Sequence, residues 1–313
     1  MNMAKPKSDQ TLPSTALRAP FDGLSDEYQV FRKTQLNLSQ QQQSERIRIH
    51  RFGDNAESAQ TTDCLDQLCA DFVNQGFAMY EWNKSAENPR QREVRLHAKL
   101  GLSQPDSGII SGDDNLSLLE DKTGTSFSRF VPYSNRQMNW HTDGYYNAQT
   151  EPVRCFTLYC IEQAASGGEL TMMNNALLLI ALYDENPDLV AALAHPEAVL
   201  FPANKDEEGH HRPDRKTAVF SMYDDGQLNT RFTTRTRNIQ WRTPETELAA
   251  KMASKLIDDN LQWHTRVRLE KNQGLITANL LHKREAFIDE QTVGRRQILR
   301  GRYAHLPSTA LHA

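Results

Sequence analysis

Residues 139–147 read NWHTDGYYN, and the placing of Asp143 two positions after His141 decides how the rest of the chain is read. In a strand side chains alternate, so His141 and Asp143 share one side with Gln137 and Asn139, while Met138, Trp140 and Thr142 point to the other. A surface strand alternates in the same way and is the commonest explanation of a lone H-x-D triplet. The sharper explanation is a metal site, which needs a third ligand from a distant part of the chain.

That ligand is sought in LITANLLHKREAF (275–287), which reads as one strand after WHTRVRLE (263–270) and the turn KNQG. Ile276, Ala278, Leu280 and His282 then share a face that leads inward, whereas His264 sits on the charged, outer side of the preceding strand. A histidine among aliphatic neighbours is ordinarily a core residue. What moves the reading to a ligand is GRRQILR (294–300), because arginines beside an inward histidine suit a bound carboxylate through paired hydrogen bonds. Two histidines and one carboxylate form the facial triad of non-haem Fe(II) oxygenases, with three coordination places left open. A 2-oxo acid can fill two of these and O2 the third. The order H-x-D, distant His, then Arg is far more specific than any of its parts.

On these residues the chain resembles the TauD/TfdA-like family (taurine dioxygenase and γ-butyrobetaine hydroxylase) of Fe(II)- and 2-oxoglutarate-dependent dioxygenases. The resemblance runs from about Asp63 to His305 and rests on WHTDG (140–144), SGGEL (166–170), DENPDLVAALAHP (184–196), LLHKREAF (280–287) and GRRQILR (294–300). It implies a double-stranded β-helix, or jelly roll, with helices outside. It implies iron ligands at His141, Asp143 and His282, a 2-oxoglutarate arginine at Arg296, and a second, substrate-facing arginine at Arg300. The family often has a threonine soon after the paired glycines, hydrogen-bonded to the 2-oxoglutarate carboxylate. Here Leu170 stands at the closest match and Thr171 comes one place later, so Thr171 is a candidate that depends on strand register. The choice between Arg295 and Arg296 is open by one residue. The implied reaction is oxidative decarboxylation of 2-oxoglutarate with O2 to succinate and CO2, coupled to hydroxylation of a C–H bond. Asp143 favours hydroxylation over halogenation, because a small residue there would open a place for chloride. Tyr145, Tyr146 and Asn147 are candidates for the pocket mouth.

Composition sets the surroundings of this site. The chain has 313 residues and a formal net charge of -4, suited to one large domain or two ordinary ones and without a global pull toward nucleic acid. The longest apolar run, ALLLIAL (176–182), falls far short of the roughly 18 to 20 residues that cross a membrane. Cys64, Cys69, Cys155 and Cys160 lack C-x-x-C spacing and read as reduced, buried thiols of a cytoplasmic protein. The expected partner is a small-molecule substrate, with no nucleic acid and no membrane, and a homo-oligomer is allowed.

The expected fold class is β-rich α+β. Residues 1–45 read as a polar arm or linker with one short helix around SDEYQVFRKTQ, and residues 46–313 as the catalytic domain. A helix with Leu65, Leu68, Cys69, Phe72 and Val73 at helical spacing stops at Gly76, and FAMYEW (77–82) is a strand. Residues 102–120 are loop-rich. VRCFTLYCIEQAASGGELTMM reads as a hairpin around ASGG, followed by two helices, the second capped by Asn186. A second hairpin turns at Asp224–Gly226. A helix from Pro244 carries Leu248, Met252 and Leu256 on one face. GHHRPDRK (209–216) reads as a solvated loop, since adjacent histidines diverge in a strand. Two other functions compete: a non-catalytic jelly-roll binding protein, and a zinc-type, metal-dependent hydrolase built on the same three ligands.

Overall fold

Two facing antiparallel-rich sheets hold the centre of the protein. A computed structural model describes residues 25–53, 59–83, 87–102, 114–205, 211–290 and 295–308. Ten strands form the two sheets: β1 (Ile49–Phe52), β2 (Phe77–Trp82), β3 (Ser117–Leu119), β4 (Met138–His141), β5 (Cys155–Glu162), β6 (Leu170–Met173), β7 (Thr265–Val267), β8 (Gln273–Ala278), β9 (Leu281–Arg284) and β10 (Gln297–Tyr303). The larger sheet runs β1-β2-β8-β5-β10-β3, with only β1 and β2 parallel, and the smaller runs β7-β6-β9-β4. Phe77, Met79 and Leu275 of the larger sheet meet Leu170, Met172 and Val267 of the smaller in one buried cluster.

Alternation assigns the faces of the central strands. In β5, Cys155 and Tyr159 join the core under α2 (Ala59–Gln75) and α3 (Pro89–Lys99), while Phe156, Leu158 and Cys160 line the cavity between the sheets. The two cysteines thus occupy opposite faces, and all four are free thiols. In β10 the same period sends Ile298 and Arg300 into the cavity and Leu299 and Tyr303 toward the helices.

Three strand expectations are corrected. The segment around ASGG does not close a hairpin: β5 and β6 belong to different sheets, and the chain crosses between them there. LITANLLHKREAF is two strands rather than one, since β8 lies in the larger sheet and β9 in the smaller. Ile276 accordingly faces the helices, and the inward direction of His282 comes from the crossover at Asn279–Leu280. Finally, strand pairing around HTD stops at His141, so Asp143 belongs to the turn that follows. The hairpin of Phe220–Met222 with Leu228–Thr230 forms as its Asp-Asp-Gly turn predicts.

Helices cover both outer faces. Leu65, Leu68 and Phe72 of α2 are buried, but Val73 is exposed, and Gly76 ends the helix at a φ of 77°. The apolar insert consists of α4 (Asn175–Glu185), capped by Asn174, and α5 (Pro187–Ala194), capped by Asn186. These pack with α6 (Pro244–Asp259). The buried face of α6 is Ala249, Ala250, Ala253 and Ile257, with Leu248 exposed; short alanines allow close helix approach where the larger residues would not fit.

The predicted short N-terminal helix is longer, Asp26–Ser44 (α1), and includes the run SQQQQS, since glutamine costs a helix little. It is docked: Tyr28 is buried with its ring 4.7 Å from that of Tyr183, and Arg32 pairs with Asp184 at 2.7 Å. Residues 1–24 of the expected arm, and 103–113 of the loop-rich stretch, lie outside the described residues. Of GHHRPDRK, His211–Arg212 pair with Asn204–Lys205 as a two-residue strand. No helix among the described residues is long and apolar enough to cross a membrane.

Candidate metal centre

His141 and His282 face each other across the β4–β9 pair, their ring centroids 4.2 Å apart. A bulge follows, so that Arg284 opposes Met138: three steps along β4 match two along β9. Simple alternation therefore fails in β4, and Met138, expected on the far side, lines the cavity together with His141.

Asp143 reaches the same point from the turn after β4. Thr142 is fixed by its hydroxyl donating to the Thr230 carbonyl at 2.9 Å, and by its N–H donating to that of Phe232 at 3.0 Å. Gly144 then takes φ 64°, and a Cβ there would lie 2.7 Å from Val153 Cγ2. Only glycine suits both demands. One donor atom from each of His141, Asp143 and His282 lies within 4.8 Å of the others, and all three residues are buried. Among the described residues this is the single group of three or more His, Cys, Asp or Glu side chains so arranged.

The imidazoles are oriented for ligation. His141 Nδ1 lies 2.8 Å from the Asn139 carbonyl, and His282 Nδ1 lies 2.8 Å from that of Leu280. A carbonyl only accepts, so each Nδ1 carries a proton and each Nε2 is the nitrogen turned toward the site. Nε2 of His141 and His282 are 3.6 Å and 4.0 Å from Asp143 Oδ1. Burial, with His141 alongside, pushes His282 down to about 3, so it is neutral at ordinary pH. Burial would raise the Asp143 carboxyl, but Arg300, His141 and Arg302 outweigh it and hold it well below the usual carboxylate range. Arg300 Nη1 is 3.8 Å from Asp143 Oδ2.

The expected anchors are distributed as follows. Arg296 is buried and lines the cavity, and Arg295 is exposed and does not. Arg300 is in the wall. Thr171 is buried outside the wall, because Leu170 takes the cavity side of β6 and alternation turns its neighbour away; this corrects the candidate role for Thr171. Tyr145 packs in the insert core, and Tyr146 stacks edge-on against it at 4.9 Å, so neither lines the cavity wall, and nor does Asn147. Two participants escape a pattern search. Asn279 supports the Asp143 backbone, and Arg284 lines the cavity beside Arg296. A polar residue interrupting LITANLL, and a charge at i+2 from His282, were the available signals.

The class that this fold and donor set define is that of the non-haem iron oxygenases. The chain belongs to the TauD/TfdA family: the model for "Taurine catabolism dioxygenase TauD, TfdA family" matches residues 89–303. Among solved structures, it is similar to asparagine oxygenase in complex with Fe(II), 2S,3S-3-hydroxyasparagine and succinate, at 14% identity and TM-score 0.57 over 90% of this chain and 92% of that one. It is also similar to the non-heme iron oxygenase OrfP in complex with Fe and α-ketoglutaric acid, at 11% identity and TM-score 0.55 over 78% and 80%. A third is PvcB from Pseudomonas aeruginosa, at 14% identity and TM-score 0.50 over 77% and 80%. At such identities the likeness is one of fold. No curated protein matches the chain in sequence. The cofactors are those of the family, Fe(II), 2-oxoglutarate and O2, and the residues fit them: two imidazole nitrogens and one carboxylate for the metal, and a buried guanidinium with an unpartnered Nη1, that of Arg296, for an oxo acid.

Proposed function

We propose that the protein is a 2-oxoglutarate-dependent dioxygenase that hydroxylates a C–H bond of a small-molecule substrate, with release of succinate and CO2. The convergence of His141, Asp143 and His282 within 4.8 Å is the observation that carries this reading. The two facing sheets are read as a double-stranded β-helix, with residues 46–313 as the catalytic domain and 1–45 as a preceding arm.

Bound Fe(II) supplies O2 activation, and the oxo acid supplies two electrons, one oxygen atom entering succinate and the other the product. The chain contributes geometry and charge. His141 and His282 present Nε2, and Asp143 presents a carboxylate kept ionised by Arg300. Arg296 is assigned to the far carboxylate of 2-oxoglutarate. Arg300 is assigned to an anionic group on the substrate. Phe156, Leu158, Leu170 and Ile298 give the cavity apolar walls that limit water.

The test is succinate formation under Fe(II), 2-oxoglutarate and O2 across a panel of small acids, following product mass. Arg296→Ala should chiefly weaken 2-oxoglutarate binding. Turnover with Zn(II) that needs neither 2-oxoglutarate nor O2 would instead favour a hydrolase.

A further inference from the structure

Two arginines of the cavity wall meet at one aromatic ring. The guanidinium carbons of Arg284 and Arg296 lie 5.0 Å and 4.9 Å from the ring centroid of Phe287. Relative exposures are 5% and 8%, so solvent screens neither charge effectively. Arg284 Nη2 donates to the Ser134 carbonyl at 2.8 Å and to that of Arg136. Its Nε and Nη1 have no partner, and nor does Arg296 Nη1. Neither guanidinium forms an ion pair among the described residues. Asp289 accepts from the backbone N–H of Arg296 at 3.0 Å, and it attracts that guanidinium, as Asp121 attracts that of Arg284, without forming an ion pair with it.

Two buried like charges that share one ring and repel each other, with three donor nitrogens unanswered, are costly unless an anion joins them. A carboxylate has about four lone-pair sites, more than one guanidinium fork fills. Of the other donors in the wall, Gln163 and Arg268 already donate to the carbonyls of Leu269, Ala164 and Ala165, and Leu170 contributes none.

We propose that Arg284 is a second anchor for the far carboxylate of the 2-oxo acid, acting with Arg296 to select a dicarboxylic co-substrate. This rests on the 2-oxoglutarate reading of the site. One carboxylate oxygen is taken by Arg296 and the other by the free edge of Arg284, while the carbonyls of Ser134 and Arg136 hold the remaining nitrogen in place.

The test compares 2-oxoglutarate with 2-oxopentanoate, which has a methyl group in place of the far carboxylate. Calorimetry on the Fe(II)-loaded protein under nitrogen reads binding without turnover. Arg284→Met should weaken 2-oxoglutarate at least tenfold, leave 2-oxopentanoate within about twofold, and leave Fe(II) affinity unchanged. Arg284→Lys, which keeps the charge and serves should the methionine variant not fold, should lose less for 2-oxoglutarate and nothing for 2-oxopentanoate. Equal weakening of both acids would assign Arg284 a purely structural role and overturn the proposal. So would binding of both acids by the Arg284 variants at wild-type strength, given a wild-type protein that does bind 2-oxoglutarate. A wild type that binds neither acid would bring down the co-substrate reading itself, and this anchor with it.

Discussion

Asn279 and Asp143 are joined by a reciprocal pair of hydrogen bonds: the Asp143 N–H donates to Asn279 Oδ1 at 2.7 Å, and Asn279 Nδ2 donates back to the Asp143 carbonyl at 2.8 Å. The same Nδ2 reaches the Val153 carbonyl at 2.7 Å. Asn175, at the first position of α4, donates from Nδ2 to the Asn279 carbonyl at 3.0 Å and accepts from the Leu281 N–H at 2.6 Å. The Asp143 carboxylate in a turn and the His282 imidazole on β9 are thus held by one short network at the sheet crossover.

Asn279→Ala removes that link and leaves the Asp143 N–H unanswered. Groups that orient ligands are worth roughly 10- to 100-fold in metal affinity. The expected outcome is a loss of this order in Fe(II) affinity, read by anaerobic titration, with a melting transition still cooperative. Unchanged Fe(II) affinity would mean that Asp143 is held by its turn alone.

His141→Ala and His282→Ala should each abolish stoichiometric Fe(II) binding and substrate-linked succinate formation. Each removes one of three donors from a site whose remaining wall offers no further imidazole or carboxylate among the described residues. Turnover at the wild-type rate in either folded variant would dismiss the metal centre.

Gly144→Ala should lower both the melting temperature and Fe(II) affinity. The φ of 64° disfavours any Cβ, and this Cβ would press Val153 Cγ2 at 2.7 Å and Asn147 Nδ2 at 3.0 Å. Strain of this kind costs on the order of 1–3 kcal/mol, and the turn it would distort carries Asp143. A variant with wild-type melting and metal affinity would show that the turn relaxes freely.

The acid limb of stability should depend on His97, which is buried between Tyr303, whose hydroxyl is 2.7 Å from Nδ1, and Glu93, 3.6 Å from Nε2. Burial pushes it down to about 3 from 6.5. Between those values the unfolded chain binds a proton that the folded chain refuses, so the stability due to neutral His97 is present above 6.5 and lost as pH falls toward 3. Glu93, pushed up to about 7 chiefly by burial, titrates in the opposite sense and is common to wild type and His97→Gln. Urea midpoints across pH should show wild type losing ground to the variant on acidification, at a limiting slope of about 1.4 kcal/mol per pH unit. Parallel pH profiles would exclude His97 as the source.

What the amino-acid sequence determined by itself was the donor chemistry and its order. H-x-D, a distant histidine and following arginines name a metal and an oxo acid whatever the backbone does between them, because ligand type follows from side-chain chemistry. Capped or stopped helices such as α5 and α2, and the hairpin at Asp224–Gly226, were legible for a similar reason, since caps and tight turns depend on adjacent residues. Tertiary structure alone decided which sheet each strand joins. β5 and β6 read as a hairpin and β8 and β9 as one strand, but both pairs divide between sheets, because strand pairing is a contact between residues far apart in sequence. The same distance hid the crossover at Asn279, the bulge that brings Met138 to the side of His141, and the meeting of Arg284 with Arg296 at Phe287. Each of these depends on where another strand passes, and no local spacing encodes that.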